Sequence, residues 1–179
     1  MHHKNFVHRD IKADNFVMGT NARQKICYLI DYGLAKQYRD PKTKRHIPFR
    51  DDKSLTGTPR FASIANHSGM EQSRRDDLES LAYVLVYLIE GQLPWQNIVV
   101  PGHIKDSKRY KNQRIMEIKQ STSVDTLCRN VPAPVYDLLV EARRLAFEER
   151  PNYAGLTESF ARWLAEPDGS IRFNFSWIE

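Results

Sequence analysis

The sequence predicts an α+β domain that is mainly α-helical and carries one small β-hairpin. Two short apolar runs flank a polar turn near residue 20, the second half repeats apolar residues at helical spacing, and a long segment broken by glycine and proline separates the two. Short β-branched or aromatic runs beside turn residues read as paired strands, whereas apolar residues three and four apart read as one face of a helix.

Phe16, Val17 and Met18 form the first run, residues 19–23 the turn, and Ile26, Cys27, Tyr28, Leu29 and Ile30 the second run. Residues 31–75 read mostly as loop, punctuated by Gly33, Pro41, Pro48, Gly57, Pro59 and Gly69. A loop of that length inside a compact domain usually carries function. From 77 to 89 the positions Leu78, Leu81, Ala82, Leu85, Leu88 and Ile89 follow the helical period, and Tyr83, Val84, Val86 and Tyr87 make the opposite face apolar as well. Such a helix is expected to be central and buried on most sides, with Gly91 ending it. The helical pattern over 114–119 is weak. Pro134 opens a further helix with Val135, Leu138, Leu139, Ala142 and Leu145 on one face, and a last helix spans about 154–164, before Pro167. There is no internal repeat, low-complexity tract or internal linker.

The 179 residues suffice for one domain with a core, and a hydrophobic fraction of 41% argues against global disorder. The longest apolar run, 81–89, falls short of the ~20 residues a membrane span needs. The opening Met-His-His-Lys-Asn has no apolar signal-like stretch. Cys27 and Cys128 lie in apolar contexts without metal-ligand spacing and are expected to be reduced core thiols. The net charge is +5, with basic clusters at Lys42, Lys44, Arg45 and His46 and at Lys105, Lys108, Arg109, Lys111 and Arg114. Such clusters suit acidic or phosphorylated partners, although charge runs more often are solvated faces. No zinc spacing, RNA-binding signature or recognition-helix pattern accompanies them, so neither a nucleic-acid nor a membrane partner is expected.

The chemistry sits in His8-Arg9-Asp10-Ile11-Lys12-Ala13-Asp14-Asn15, followed by Asp31-Tyr32-Gly33. Phosphoryl transfer from ATP needs an acceptor for the incoming hydroxyl's proton, a cation near the moving phosphate and oxygen ligands for Mg²⁺. Asp10 can accept the proton, Lys12 can neutralise the phosphate, and Asn15 and Asp31 offer hard oxygen ligands. The two segments flank the hairpin, whose folding brings its ends together.

This set resembles the catalytic loop and magnesium motif of protein kinases, and a lysine two places after the aspartate resembles the serine/threonine form. Leu55-Thr56-Gly57-Thr58-Pro59-Arg60-Phe61-Ala62-Ser63-Ile64 and Glu71-Gln72-Ser73-Arg74-Arg75-Asp76-Asp77-Leu78-Glu79-Ser80-Leu81 resemble segments of the casein kinase 1 family. His46-Ile47-Pro48-Phe49-Arg50, Leu93-Pro94-Trp95-Gln96 and Phe175-Ser176-Trp177 resemble the same family, over about 2–177. The resemblance implies a protein-kinase-like fold, C-terminal lobe only. It implies ATP and Mg²⁺ as cofactors, protein substrates bearing acidic or phosphorylated residues before the acceptor, a monomer, and a location in cytoplasm or nucleus. It makes Asp10, Lys12 and Thr58 catalytic, Lys12, Asn15 and Asp31 cofactor-binding, and Asn15 and Asp31 metal ligands. Thr58 is expected near Asp10 and Lys12, and Asp77 is expected to accept backbone N–H bonds from the catalytic loop around His8 and Arg9. Arg60 is expected to bind a substrate anion.

The sequence departs from the family pattern at Tyr32, where Phe is usual, at Ala13, where Pro is usual, at Pro59 and Phe61, and in the order Ile64-Ala65-Asn66-His67. No glycine-rich phosphate loop or Val-Ala-Ile-Lys-type lysine precedes Asp10, so residues 1–179 are expected to be a partial kinase domain without its N-terminal lobe. On that reading apolar surface is left uncovered and the chain alone transfers little phosphate. The alternative expectation is a non-catalytic lobe that acts as a protein-interaction module.

Overall fold

The computed structural model describes residues 1–166, and the Phe175-Ser176-Trp177 motif lies outside the described residues. Four short strands come first: β1 (Phe6–Val7), β2 (Phe16–Met18), β3 (Cys27–Leu29) and β4 (Lys36–Gln37). Six helices follow: α1 (Ile64–His67), α2 (Arg74–Glu90), α3 (Ser107–Ser121), α4 (Val124–Leu127), α5 (Ala133–Arg144) and α6 (Tyr153–Leu164). The expected hairpin is β2–β3, antiparallel, with Phe16 opposite Leu29 and Met18 opposite Cys27. A second antiparallel pair, β1–β4, places Val7 opposite Lys36. Strands of two residues carry no periodicity, so the sequence has no signal for that pair.

Helix α2 is the centre of the molecule. Asp76 Oδ2 accepts the Ser73 N–H at 2.7 Å, and Asp76 and Asp77 place negative charge in the first turn. The helix begins three residues before the apolar pattern does, because Arg74, Asp76 and Asp77 are themselves buried. Gly91 ends it in the left-handed conformation with φ 75°. Leu78, Ala82, Tyr83, Val84 and Val86 join Leu93, Trp95, Val135, Leu138, Leu139, Ala142 and Leu145 in one core, with α5 packed along α2. The expectation of burial fails at the last turn, where Leu88 is 62% and Ile89 46% exposed.

Helix α3 is longer than its sequence pattern suggested. Asp106 Oδ1 caps it by accepting the Arg109 N–H at 2.8 Å. Its inner face includes Ile115, Ile118 and the fully buried Lys119, so a charged residue occupies a core position and weakens the apolar period. The expectation of two core thiols needs correction: Cys128 is buried beside α4, but Cys27 ends the hairpin register and is exposed. Exposed large apolar side chains include Phe6, Val17, Ile26, Ile30, Tyr32 and Leu34, all on or beside the strands.

Candidate active site

The loop between β1 and β2 is fixed from below by α2. Asp77 Oδ2 accepts the His8 N–H at 2.7 Å and Oδ1 accepts the Arg9 N–H at 2.9 Å. His2 Nε2 lies 2.8 Å from Oδ2, and His2 Nδ1 lies 2.6 Å from the Tyr153 hydroxyl. One buried carboxylate thus ties the N-terminal segment, the loop and α6 to the first turn of α2. His8 is fully buried: its Nε2–H donates to the Ile30 carbonyl at 3.1 Å, and Nδ1 accepts the Asp10 N–H at 3.3 Å. Those partners require the Nε2–H tautomer. Arg9 adopts φ 69° and donates from Nε to the Leu34 carbonyl at 2.7 Å.

Asp10 is held at both oxygens. Oδ1 accepts the Thr58 N–H and the Thr58 hydroxyl, each at 2.8 Å, while Lys12 Nζ stands 3.2 Å from Oδ2. Oδ1 is thereby committed to orientation, and Oδ2 is the atom able to meet an incoming hydroxyl beside a cation. Gly57 makes this approach possible: its φ is 86°, and a Cβ there would lie 2.4 Å from the Arg9 carbonyl oxygen.

The hairpin joins the other two acidic or amide groups. Asn15 is buried and donates from Nδ2 to the Asp10 carbonyl at 2.9 Å, which leaves Oδ1 for a cation. The Ile30 N–H donates to the Asn15 carbonyl at 2.9 Å, so Asp31 follows directly on a residue bonded to Asn15. Asp31 has φ 62°, is exposed, and accepts the Gly33 N–H at 3.3 Å. Among the described residues no group of three His, Cys, Asp or Glu side chains could hold a metal ion. An Asn–Asp pair instead fits Mg²⁺, which keeps several waters and takes its other ligands from phosphate oxygens. Tyr32 packs its ring 5.5 Å from His8, and its hydroxyl donates to the Leu29 carbonyl at 2.6 Å, so the extra oxygen of Tyr32 has a partner.

Arg60 is exposed, its guanidinium 5.5 Å from the Tyr87 ring centre. A groove of about 690 Å³ runs past it, lined among others by Lys12, Thr58, Arg60, Lys111 and Ile115. Lys111 stood in the sequence only as one member of a basic run; the fold of α3 is what brings it to the Arg60 groove. Lys42, Lys44 and Arg45 lie elsewhere, around the Arg39–His46 bridge, and do not line it. A second basic pocket holds Arg9, Lys36 and Lys53 around Glu71, with Lys36 Nζ 2.8 Å from Oε2. Burial opposes ionisation of Glu71, but Lys36 and Lys53 outweigh it and hold its carboxyl below the usual range.

An aspartate oriented through one oxygen, a lysine at the other and an amide–carboxylate pair across a hairpin are an arrangement suited to phosphoryl transfer. The chain belongs to the protein kinase domain family, whose model matches residues 1–161. That family generally uses ATP and Mg²⁺.

Proposed function

We propose that residues 1–179 form the C-terminal lobe of a casein kinase 1-type serine/threonine kinase that transfers the γ-phosphate of ATP to acidic or phosphorylated protein substrates. The observation that carries this reading is the double hydrogen bond from Thr58 to one oxygen of Asp10, with Lys12 at the other. Asp10 Oδ2 receives the hydroxyl proton, and Lys12 offsets negative charge on the group in transfer. Asn15 and Asp31 hold Mg²⁺, which when bound neutralises charge on the nucleotide phosphates. His8, Arg9 and Asp77 support the loop. Arg60, joined by Lys111, receives the acidic or phosphorylated substrate residue that precedes the acceptor. The natural setting of this reading is a monomer in cytoplasm or nucleus, with no nucleic-acid or membrane partner.

A second reading is a protein-interaction module that binds substrates without phosphorylating them. It is favoured by the groove beside Arg60, which is lined by residues of the catalytic loop, the 58–61 segment, the 95–98 connection and α3. Both readings are tested by incubating the purified chain with MgATP and a peptide bearing a phosphoserine ahead of an acceptor serine. Phosphopeptide product that falls at least ~100-fold in Asp10→Asn supports transfer. Binding lost in Arg60→Ala, with no product even when a kinase N-terminal lobe is supplied in trans, supports the interaction module, because little product from the chain alone is expected on either reading. Absence of both binding and product overturns the casein kinase 1-type assignment.

A further inference from the structure

Lys119 is fully buried, on the inner face of α3. A buried ammonium costs several kcal/mol unless its donors are matched, roughly the burial value of a whole apolar side chain. A position that only needed filling would hold methionine or leucine. What Lys119 does with its donors is specific: Nζ donates to the Pro59 carbonyl at 2.9 Å and to the Ala62 carbonyl at 2.5 Å. Those two carbonyls bracket Arg60. The carbonyl of Arg60 itself accepts the Trp95 Nε1–H at 2.7 Å, and the Thr58 carbonyl accepts the N–H groups of Phe61 and Ala62, each at 3.0 Å. Four carbonyls of the 58–62 segment are therefore occupied, those of Pro59, Arg60 and Ala62 by the buried side chains of Lys119 and Trp95. The Thr58 hydroxyl donates to Asp10, and the exposed Arg60 lines the groove with its guanidinium over the Phe61 and Tyr87 rings.

We propose that Lys119 is a positioning residue for acceptor-substrate recognition, an internal clamp whose Nζ fixes the 58–62 backbone so that Thr58 and Arg60 are set relative to Asp10. The role of Arg60 in this inference rests on the substrate reading above. The clamp does not depend on one charge state. Burial draws the Lys119 ammonium down to about 7, with Arg143 acting in the same direction and Glu79 against it. The neutral amine still has two N–H donors, enough for both carbonyls. His67 Nε2, 3.3 Å from Nζ and 3.1 Å from the Pro59 carbonyl, is the further titratable group facing it. The rings of Tyr83 and Trp95, 4.9 and 5.1 Å from Nζ, close the site with their π faces.

The test combines amide hydrogen exchange with binding of a fluorescein-labelled peptide that carries a phosphoserine ahead of an acceptor serine. In the wild-type chain the Phe61 and Ala62 amides should exchange slowly; exchange there at the rate of an open loop overturns the clamp without any variant. Lys119→Met keeps length and apolar volume but removes the donors. It should speed exchange at 61 and 62 and weaken peptide binding about tenfold, the cost of misplacing one charge-assisted contact. Lys119→Arg, which restores donors, should recover part of both. A folded Lys119→Met with unchanged exchange and unchanged affinity overturns the proposal. If Lys119→Met does not fold, Lys119→Arg decides: exchange at 61 and 62 as slow as wild type supports the clamp, and open-loop exchange in a folded Lys119→Arg overturns it. If the wild-type chain binds no phosphopeptide, the substrate reading fails, while the exchange arm still decides whether Lys119 sets the segment.

Discussion

Asp77 shows how much one side chain can hold. Its two oxygens satisfy the N–H groups of His8 and Arg9 and meet His2 Nε2, all where water has little access. Removing the carboxylate leaves two backbone donors with no acceptor, each costing about 1–3 kcal/mol when buried. Asp77→Ala is therefore expected to lose about 3 kcal/mol of stability in urea denaturation, and Asp77→Asn, which keeps one acceptor, about half of that. A loss under ~0.5 kcal/mol for Asp77→Ala would show that the loop holds itself. That Asp10, Lys12, Asn15 and Asp31 lie near one another could be read from the chain, because the first three share one loop and a hairpin brings its two ends together. Lys119 could not. It is one of several lysines in a polar helix, and only the meeting of α3 with the 57–63 segment distinguishes it from a surface residue. Lys111 was hidden for the same reason, as a basic residue whose groove forms only after folding.

At the scale of elements, α2 and α5 were legible because their apolar residues keep helical spacing and their ends carry glycine or proline. Helix α3 was nearly invisible because its inner face mixes Ile115 and Ile118 with Lys119, and its clearest signal was the capping Asp106 rather than any period. The start of α2 was missed for a related reason: a helix turn buried through Arg74, Asp76 and Asp77 carries no apolar residue to mark it. The end of α2 offers a clean measurement. Gly91 sits at φ 75°, and a Cβ there would meet nothing within 4 Å. Gly91→Ala thus tests backbone conformation alone, and the expected loss is about 1 kcal/mol. Gly91→Asn, better suited to the left-handed region, should lose less. Equal stability of all three in thermal melts would mean that the last turn, with Leu88 and Ile89 already exposed, frays without regard to its cap.

Across the whole molecule, two buried groups should pull stability in opposite directions over the same pH range. Burial raises Asp76 to about 6, outweighing its bonds from the Ser63 hydroxyl and the Ser73 N–H. The folded state then holds this proton more tightly than the unfolded state. Its stabilising effect is full below about 3.8 and disappears as pH rises through about 6. Burial, reinforced by the Lys119 ammonium, lowers His67 to about 4, and the Pro59 carbonyl only partly opposes this. The folded state here holds the proton less tightly. Its stabilising effect is present above about 6.5 and disappears as pH falls through about 4. Each shift corresponds to something on the order of 2 kcal/mol after allowing for solvent near His67. The two slopes oppose each other between about pH 4 and 6.5, so the wild-type profile should run between those of variants that each lack one of the two groups. Asp76→Asn removes one slope and should become more stable as pH rises across that window. His67→Gln removes the other and should become less stable. Chemical denaturation of the three chains at half-unit steps checks the pair together. Parallel profiles for wild type and both variants would mean that neither group changes its proton affinity on folding, and that the charged surface, rather than the buried network around α1 and α2, sets the acid response.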